Sequence, residues 1–208
     1  MANRAISRVW LGTVVVFSVL IGLTAYRYLL PGAPGGGSGV LANRFTHVGV
    51  LTLHAGFAAT ALLIGPFQFF PELRARRRTL HRRLGTTYVI CVMGGGLAGL
   101  VLSLGTTAGP VTGAGFGLLA VTWLICTANA WRLAVRRAFV DHERWMIRSF
   151  ALTLAAVTLR IYMPIAGALH LDMPAAYTAI AWLCWVPNLI AAEIYLALRP
   201  SRLAGVSV

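Results

Sequence analysis

The chain contains six apolar runs, each close to the length that crosses a bilayer as a helix. They cover about residues 9–30, 47–70, 84–105, 111–134, 146–168 and 175–198. A hydrocarbon core roughly 30 Å thick needs about 20 helical residues, and backbone groups in lipid must pair within the structure that crosses it. The alternating segments of a membrane barrel are absent. The sequence therefore predicts an all-α polytopic membrane protein with six transmembrane helices and a core bundle formed by helices 2–5.

The placement of arginine predicts the orientation. All 18 basic residues are arginines, and they gather between the second and third runs, between the fourth and fifth, and at both chain ends. The links 106–110 and 169–174 contain none. The positive-inside rule then places both termini in the cytoplasm, and we expect a multi-pass protein of the bacterial inner membrane. Because topology and headgroup contacts account for the charge, the lipid bilayer is the expected partner, and nucleic acid is not.

The apolar runs and the links between them divide the chain into four parts. Residues 1–30 form the first transmembrane helix, 31–46 a Gly/Pro-rich extracytoplasmic linker, 47–198 a five-helix membrane domain and 199–208 a cytoplasmic tail. Cys91, Cys126 and Cys184 each lie singly within a run, which favours small core residues over a disulfide framework.

Polar residues recur at helical spacing on three of the runs. His47, His54 and Gln68 share one face of the second, His81 and Tyr88 one face of the third, and His142 and Arg160 one face of the fifth. Ionisable side chains within spans face the bundle interior or a wet cavity. We therefore expect the three faces to converge.

His54 and Arg160 lie deepest of the ionisable residues on these faces. A rise of 1.5 Å per residue places them roughly 10 and 12 Å below the outer surface. The chain has only five acids, and Glu193 lies toward the inner end of the last run, so it is not an obvious partner for Arg160. We expect Arg160 to bind an anion, a propionate, a lipid phosphate or water.

The histidines suggest ligands for a cofactor. Neutral imidazole is a common ligand of b-type haem and of transition metals, and His81 and His142 begin two helices at one depth, as a two-ring site requires. At the outer side His47 or His54 is the candidate ligand, and His47 matches His170 in depth. Interfacial hydrogen bonding is the alternative for His47, His81 and His142.

A constant offset of 61 residues relates Gln68 to Asn129, Arg76 to Arg137, His81 to His142 and Arg83 to Arg144. No gap is needed for these four matches. The offset indicates two parallel repeats, an arrangement known from transporters.

Three segments carry a resemblance to a known family: LHRRLGTTY at 80–88, DHERWMIRSFALTLAAVTLR at 141–160 and AWLCWVPNLIAAE at 181–193. They resemble the bacterial membrane proteins of the domain-of-unknown-function 2306 family, over roughly residues 47–195. The resemblance implies about six spans and no assigned chemistry. It marks as motif positions His54, Gln68, His81, Tyr88, His142, Trp145, Arg148, Arg160, Trp185, Asn188 and Glu193. A looser likeness is to the b561-type cytochromes, which hold two haems between paired histidines.

These observations leave three hypotheses for function. The first is a membrane redox protein that binds b-type haem through His47, His54, His81 and His142, or a metal through His54, His81 and His142, with a redox partner or quinone. The second is a transporter or proton pathway that uses Arg160 and His54. The third is a membrane-embedded enzyme or accessory subunit for a lipid-like substrate, although H-E-x-x-H and G-x-S-x-G motifs are absent. Gln68, Tyr88, Asn188 and Glu193 are further polar core candidates.

Overall fold

The chain folds into helices joined by short links, as a computed structural model of residues 2–29 and 48–199 describes it. Met1, residues 30–47, which include His47 and the whole 31–46 linker, and the tail from residue 200 lie outside the described residues. The helices are α1 (Ala2–Ala25), α2 (Val48–Ile64), α3 (Pro71–Arg76), α4 (Arg78–Gly105), α5 (Pro110–Val135), α6 (Phe139–Thr153), α7 (Ala155–Ala168), α8 (Met173–Leu183) and α9 (Val186–Leu198). Short 3₁₀ turns at Tyr26–Leu29 and Pro66–Phe69 extend α1 and α2.

Five helical stretches in the described ranges are long and apolar enough to cross a membrane. They are Gly49–Phe69, Arg78–Gly105, Pro110–Val135, Phe139–Ala168 and Met173–Leu198, and α1 adds the shorter apolar stretch Leu11–Ala25. The prediction of a polytopic α-helical membrane protein is confirmed. The three cysteines are buried and free, as expected.

The core is a bundle in which consecutive helices pack side by side. α2 packs against α4, α4 against α5, and α5 against α6, while α8 covers α5 and α7, and α9 covers α6. Glycines on α4 permit the close approach: a Cβ at Gly94 would lie 2.7 Å from the Phe57 ring, and one at Gly96 would lie 2.7 Å from Leu124. Small residues are the usual means of close helix packing in membranes. We call the end that holds α3 and the α5–α6 turn the arginine-rich end, and the other the arginine-poor end.

The last two spans are each interrupted near their middle, at Leu154 between α6 and α7 and at Cys184–Trp185 between α8 and α9. Pro187 lies in the first turn of α9, where it removes a backbone donor and crowds the preceding turn. At Leu154 the hydroxyls of Thr153 and Thr158 donate to carbonyls one turn earlier, a pattern that bends helices. Pro187 marks the second interruption in the sequence, whereas the first lies at Leu154 and not at Pro164, which is inside α7.

α4 and α6 run in the same direction at matching depth. The hydroxyl of Tyr88 lies 2.9 Å from that of Ser149, and these residues are separated by 61 positions. The same offset relates His81 to His142. The predicted pair of parallel repeats stays a prediction.

Candidate functional site

A cavity of about 650 Å³ lies in the arginine-poor half of the bundle. Its walls come from the end of α1, from α2, α4 and α5, from the α6–α7 junction and from α8. Most of the lining side chains are apolar or small, and Gly95, Gly96 and Gly99 of α4 leave space along one wall. A mostly apolar cavity with a few polar groups is the usual form of a site for a small organic ligand.

His54 lies on the wall of this cavity in a defined tautomeric form. Its Nδ1 is 2.8 Å from the carbonyl oxygen of Gly95, and a carbonyl only accepts hydrogen bonds. Nδ1 therefore carries the hydrogen and donates it, and in the neutral ring Nε2 keeps the lone pair. Such a backbone contact orients many metal-bound imidazoles.

Arg160 lines the same cavity and acts electrostatically on His54. Its Nη1 donates to the carbonyl oxygen of Ala156 at 3.0 Å. Both residues line this cavity, and their predicted depths were similar. Glu193 lies elsewhere: its carboxylate binds Arg148, with Nε to Oε1 at 2.5 Å and Nη2 to Oε2 at 2.8 Å.

The charge on the cavity wall has one sign. Arg27, from the 3₁₀ turn after α1, lines the cavity together with Arg160. None of the five acids of the chain, all of which lie in the described ranges, is among the lining residues. The site is therefore suited to a ligand that combines an apolar body with negative charge.

A buried hydroxyl network closes the cavity toward the arginine-rich end. Thr153 and Trp123 line the cavity, and the indole Nε1 of Trp123 donates to Thr153 Oγ1 at 3.0 Å. Behind them the Tyr88 hydroxyl lies 2.7 Å from Thr153 Oγ1 and 2.9 Å from Ser149 Oγ, and Thr127 Oγ1 lies 2.7 Å from Ser149 Oγ. The network links α4, α5 and α6, so it fixes the floor of the cavity.

The two inner histidines do not line the cavity. His142 Nδ1 donates to the carbonyl oxygen of Ala130 at 2.8 Å, the same arrangement that His54 makes with Gly95. His81 lies within electrostatic range of His142 and of Arg74. Both residues lie in the first turns of their helices at the arginine-rich end, and neither lines the His54 cavity. Their role as a ligand pair stays a prediction.

The other polar candidates also lie outside the cavity. Gln68 is buried beside Gly85 of α4, and Asn188 Nδ2 donates to Thr158 Oγ1 and to the Cys184 carbonyl, both at 3.0 Å. Asn188 thus ties α9 to α7 beside the second helix interruption. Within the described ranges, no group of three or more His, Cys, Asp or Glu side chains could hold a metal ion.

Arg27, Trp123 and Thr127 are site residues that the sequence analysis missed. Arg27 lies inside the first apolar run, so the rule applied to Arg160 already gave a signal for it. Trp123 and Thr127 are one helical turn apart on α5, but no ionisable residue marks that face.

The fold is that of a polytopic helical membrane protein, and its cavity is large enough for a small organic ligand. The family described as "Predicted membrane protein (DUF2306)" matches residues 51–196, which is more than half of the chain. The chain therefore belongs to this family, as its motifs predicted. No curated protein and no solved structure matches the chain, and the likeness to b561-type cytochromes stays a prediction.

Proposed function

We propose that this protein is a membrane redox protein whose cavity would hold a b-type haem, with His54 as the residue that would bind its iron. The observation that carries the proposal is the hydrogen bond from His54 Nδ1 to the Gly95 carbonyl. It leaves a lone pair on Nε2 of a ring that lines a large apolar cavity. Iron in electron-transfer haems takes such a nitrogen as its axial ligand.

The rest of the cavity suits the remaining parts of a haem. The apolar walls accept the macrocycle, and the Arg160 guanidinium is a good partner for a propionate, since arginine binds carboxylates through paired hydrogen bonds. Methionine sulfur is another common axial ligand, and Met163 also lines the cavity. A membrane quinone or another redox partner would exchange single electrons with the iron, and the proposed location is the bacterial inner membrane.

The His81–His142 pair supports a second proposed site at the arginine-rich end, for a haem or a transition metal. The two rings start parallel helices, and the Ala130 carbonyl orients His142 as Gly95 orients His54. Two sites at different depths would give electrons a path across the membrane.

The direct test is a visible spectrum of the protein purified in mild detergent after haem-supplemented expression. We expect a Soret band that sharpens on reduction with dithionite, together with α and β bands. A colourless preparation that takes up no added haem would remove the proposal.

Replacing Gly99 with alanine is expected to weaken haem binding without unfolding the protein. The new Cβ would lie 3.0 Å from His54 Nδ1, so the ring must shift slightly and its hydrogen bond to Gly95 is strained. Overpacking of this kind costs about 1–3 kcal/mol, and a cost near the lower end that falls on the haem-bound state would weaken affinity about tenfold. Haem titration followed by absorbance measures the effect. Gly167→Ala, where a Cβ meets nothing within 4 Å, is the matched control, and equal affinities of the two variants would contradict the prediction.

Transport of an organic anion or of protons is a second candidate function. Both interrupted spans border the cavity, through Thr153 and Ala155 at one interruption and Cys184 at the other. Discontinuous helices are typical of transporter substrate sites. In this case the protein would be colourless, and liposomes that contain it would show a flux that Arg160→Gln abolishes. Haem binding with no such flux would favour the redox proposal.

A further inference from the structure

A line of polar side chains continues from the floor of the cavity toward the arginine-rich end. Thr153 lines the cavity, and its Oγ1 lies 2.7 Å from the hydroxyl of Tyr88, which lies 2.9 Å from Ser149 Oγ. A hydroxyl can donate one hydrogen bond and accept others at the same time. These three hydroxyls therefore make the short, unbroken contacts that transfer of a proton from one oxygen to the next requires.

Gln68 carries the line one helical turn further along α4. Tyr88, Gly85 and His81 share one face of α4 at spacings of three and four residues. A Cβ at Gly85 would lie 3.3 Å from Gln68 Oε1, so the glycine makes room for the amide. Gln68 thus lies against α4 between the levels of Tyr88 and His81.

Two buried polar atoms on this face of α4 have no protein partner. Gln68 is 6% exposed, and neither its Nε2 nor the Nδ1 of His81 has a hydrogen-bond partner among the described residues. Buried polar groups are usually hydrogen-bonded, and water satisfies those that the protein does not. Water bound at these two atoms would connect His81 with the hydroxyls beyond Gln68, and water accepts and donates protons as a hydroxyl does.

The line has an end at each side of the bundle. His81 and His142 lie in the first turns of α4 and α6 at the arginine-rich end, and imidazole is the side chain that most readily takes up and releases protons near neutral pH. On the other side, the cavity extends from Thr153 to Thr106, which follows α4 at the arginine-poor end. The polar line thus begins where the cavity ends.

We propose that the line from His81 and Gln68 through Ser149 and Tyr88 to Thr153 is a proton path that connects the arginine-rich surface with the cavity. Each hydroxyl accepts one proton and releases another. A proton taken up at one end is therefore matched by one released at the other, and no redox state changes. The inference goes beyond the haem proposal, because it requires no cofactor. It rests on the second candidate function, proton transport, to which it adds a route.

The experiment measures proton flux into liposomes that contain the full-length protein as purified. A potassium gradient with valinomycin sets the membrane potential, and pyranine inside the liposomes reports proton entry. Tyr88→Phe removes the hydroxyl that joins Ser149 to Thr153. We expect it to lower the flux about a hundredfold, the low end of what one positioned proton-transfer group contributes to a rate. Tyr195→Phe, at an exposed tyrosine of α9, is the matched control and should leave the flux unchanged.

Two variants at Gln68 show whether a loss of flux comes from the path or from the fold. Gln68→Leu removes the amide, whose Nε2 has no partner in the described part of the protein. We therefore expect this variant to keep its stability in mixed detergent while its flux falls. Gln68→Glu keeps a group that can exchange protons and should keep the flux. Equal fluxes of Gln68→Leu, Tyr88→Phe and the unmodified protein would overturn the proposed path.

The outcomes also separate this inference from the proposed functions. A proton flux that Arg160→Gln abolishes, but that the Tyr88 and Gln68 variants leave unchanged, overturns the path and leaves proton transport standing. A flux that depends on Tyr88 and Gln68 in a protein that takes up no haem supports the path and removes the haem proposal. A flux no greater than that of empty liposomes overturns the path and proton transport together, and the visible spectrum then decides the haem proposal alone.

Discussion

Replacing His54 with alanine is expected to remove the haem signal of the His54 cavity from the purified protein. In the proposed site the imidazole would bind the iron, and the hydrogen bond from its Nδ1 to the Gly95 carbonyl leaves the lone pair on Nε2. Loss of the iron–nitrogen bond should weaken haem binding by about a hundredfold or more, equivalent to about 3 kcal/mol. The reduced-minus-oxidised absorbance difference per protein measures the loss.

A structural role for His54 would give the same loss, so the experiment needs a rescue. Free imidazole fits the space that the alanine leaves, and we expect it to restore the spectrum at millimolar concentration. His170→Ala removes an exposed ring beyond α7 and should leave the spectrum intact. An unchanged spectrum in His54→Ala, or a loss that imidazole does not reverse in a protein that remains folded, would exclude His54 as the ligand.

The sequence predicted the helices well because the bilayer fixes their length. The predicted run 111–134 corresponds to α5 at Pro110–Val135, and the predicted run 175–198 corresponds to α8 and α9 together. Helical rise also predicted that His54 and Arg160 lie at one depth, and both line the cavity. Depth depends on residue counting alone, which a sequence provides.

Lateral position and helix shape were harder to predict. Residues that share a face of a long helix extend over the whole membrane, so a shared face does not show which residues line one cavity. The interruption at Leu154 depends on hydroxyl contacts that form only in the folded bundle. Arg27 enters the cavity because Gly22 and Tyr26 set the register of α1 against α2, and such a register comes from tertiary packing.

Replacing Glu193 with alanine is expected to destabilise the protein more than any other single change at a surface acid. The carboxylate makes a two-point ion pair with Arg148 at 2.5 and 2.8 Å, and this pair joins α9 to α6. The Arg148 side chain is only 19% exposed, and its guanidinium lies 5.0 Å from the centre of the Trp145 ring. Without Glu193, an arginine charge remains within a membrane span with one less partner, at a cost of about 2 kcal/mol.

Reversible unfolding in mixed detergent measures this cost, with Glu72→Ala in the exposed first turn of α3 as the matched acid. Replacing both partners, as Arg148→Met with Glu193→Leu, should recover most of the lost stability. The destabilisation in Glu193→Ala is expected to arise from the unpaired Arg148 charge and not from the loss of the hydrogen bonds themselves. The double variant thus distinguishes two roles for a pair at motif positions of the family. Recovery of stability in the double variant would mean that Glu193 serves mainly to neutralise the charge of Arg148. A double variant as unstable as Glu193→Ala would mean that packing of α9 against α6 depends on the two hydrogen bonds of the ion pair.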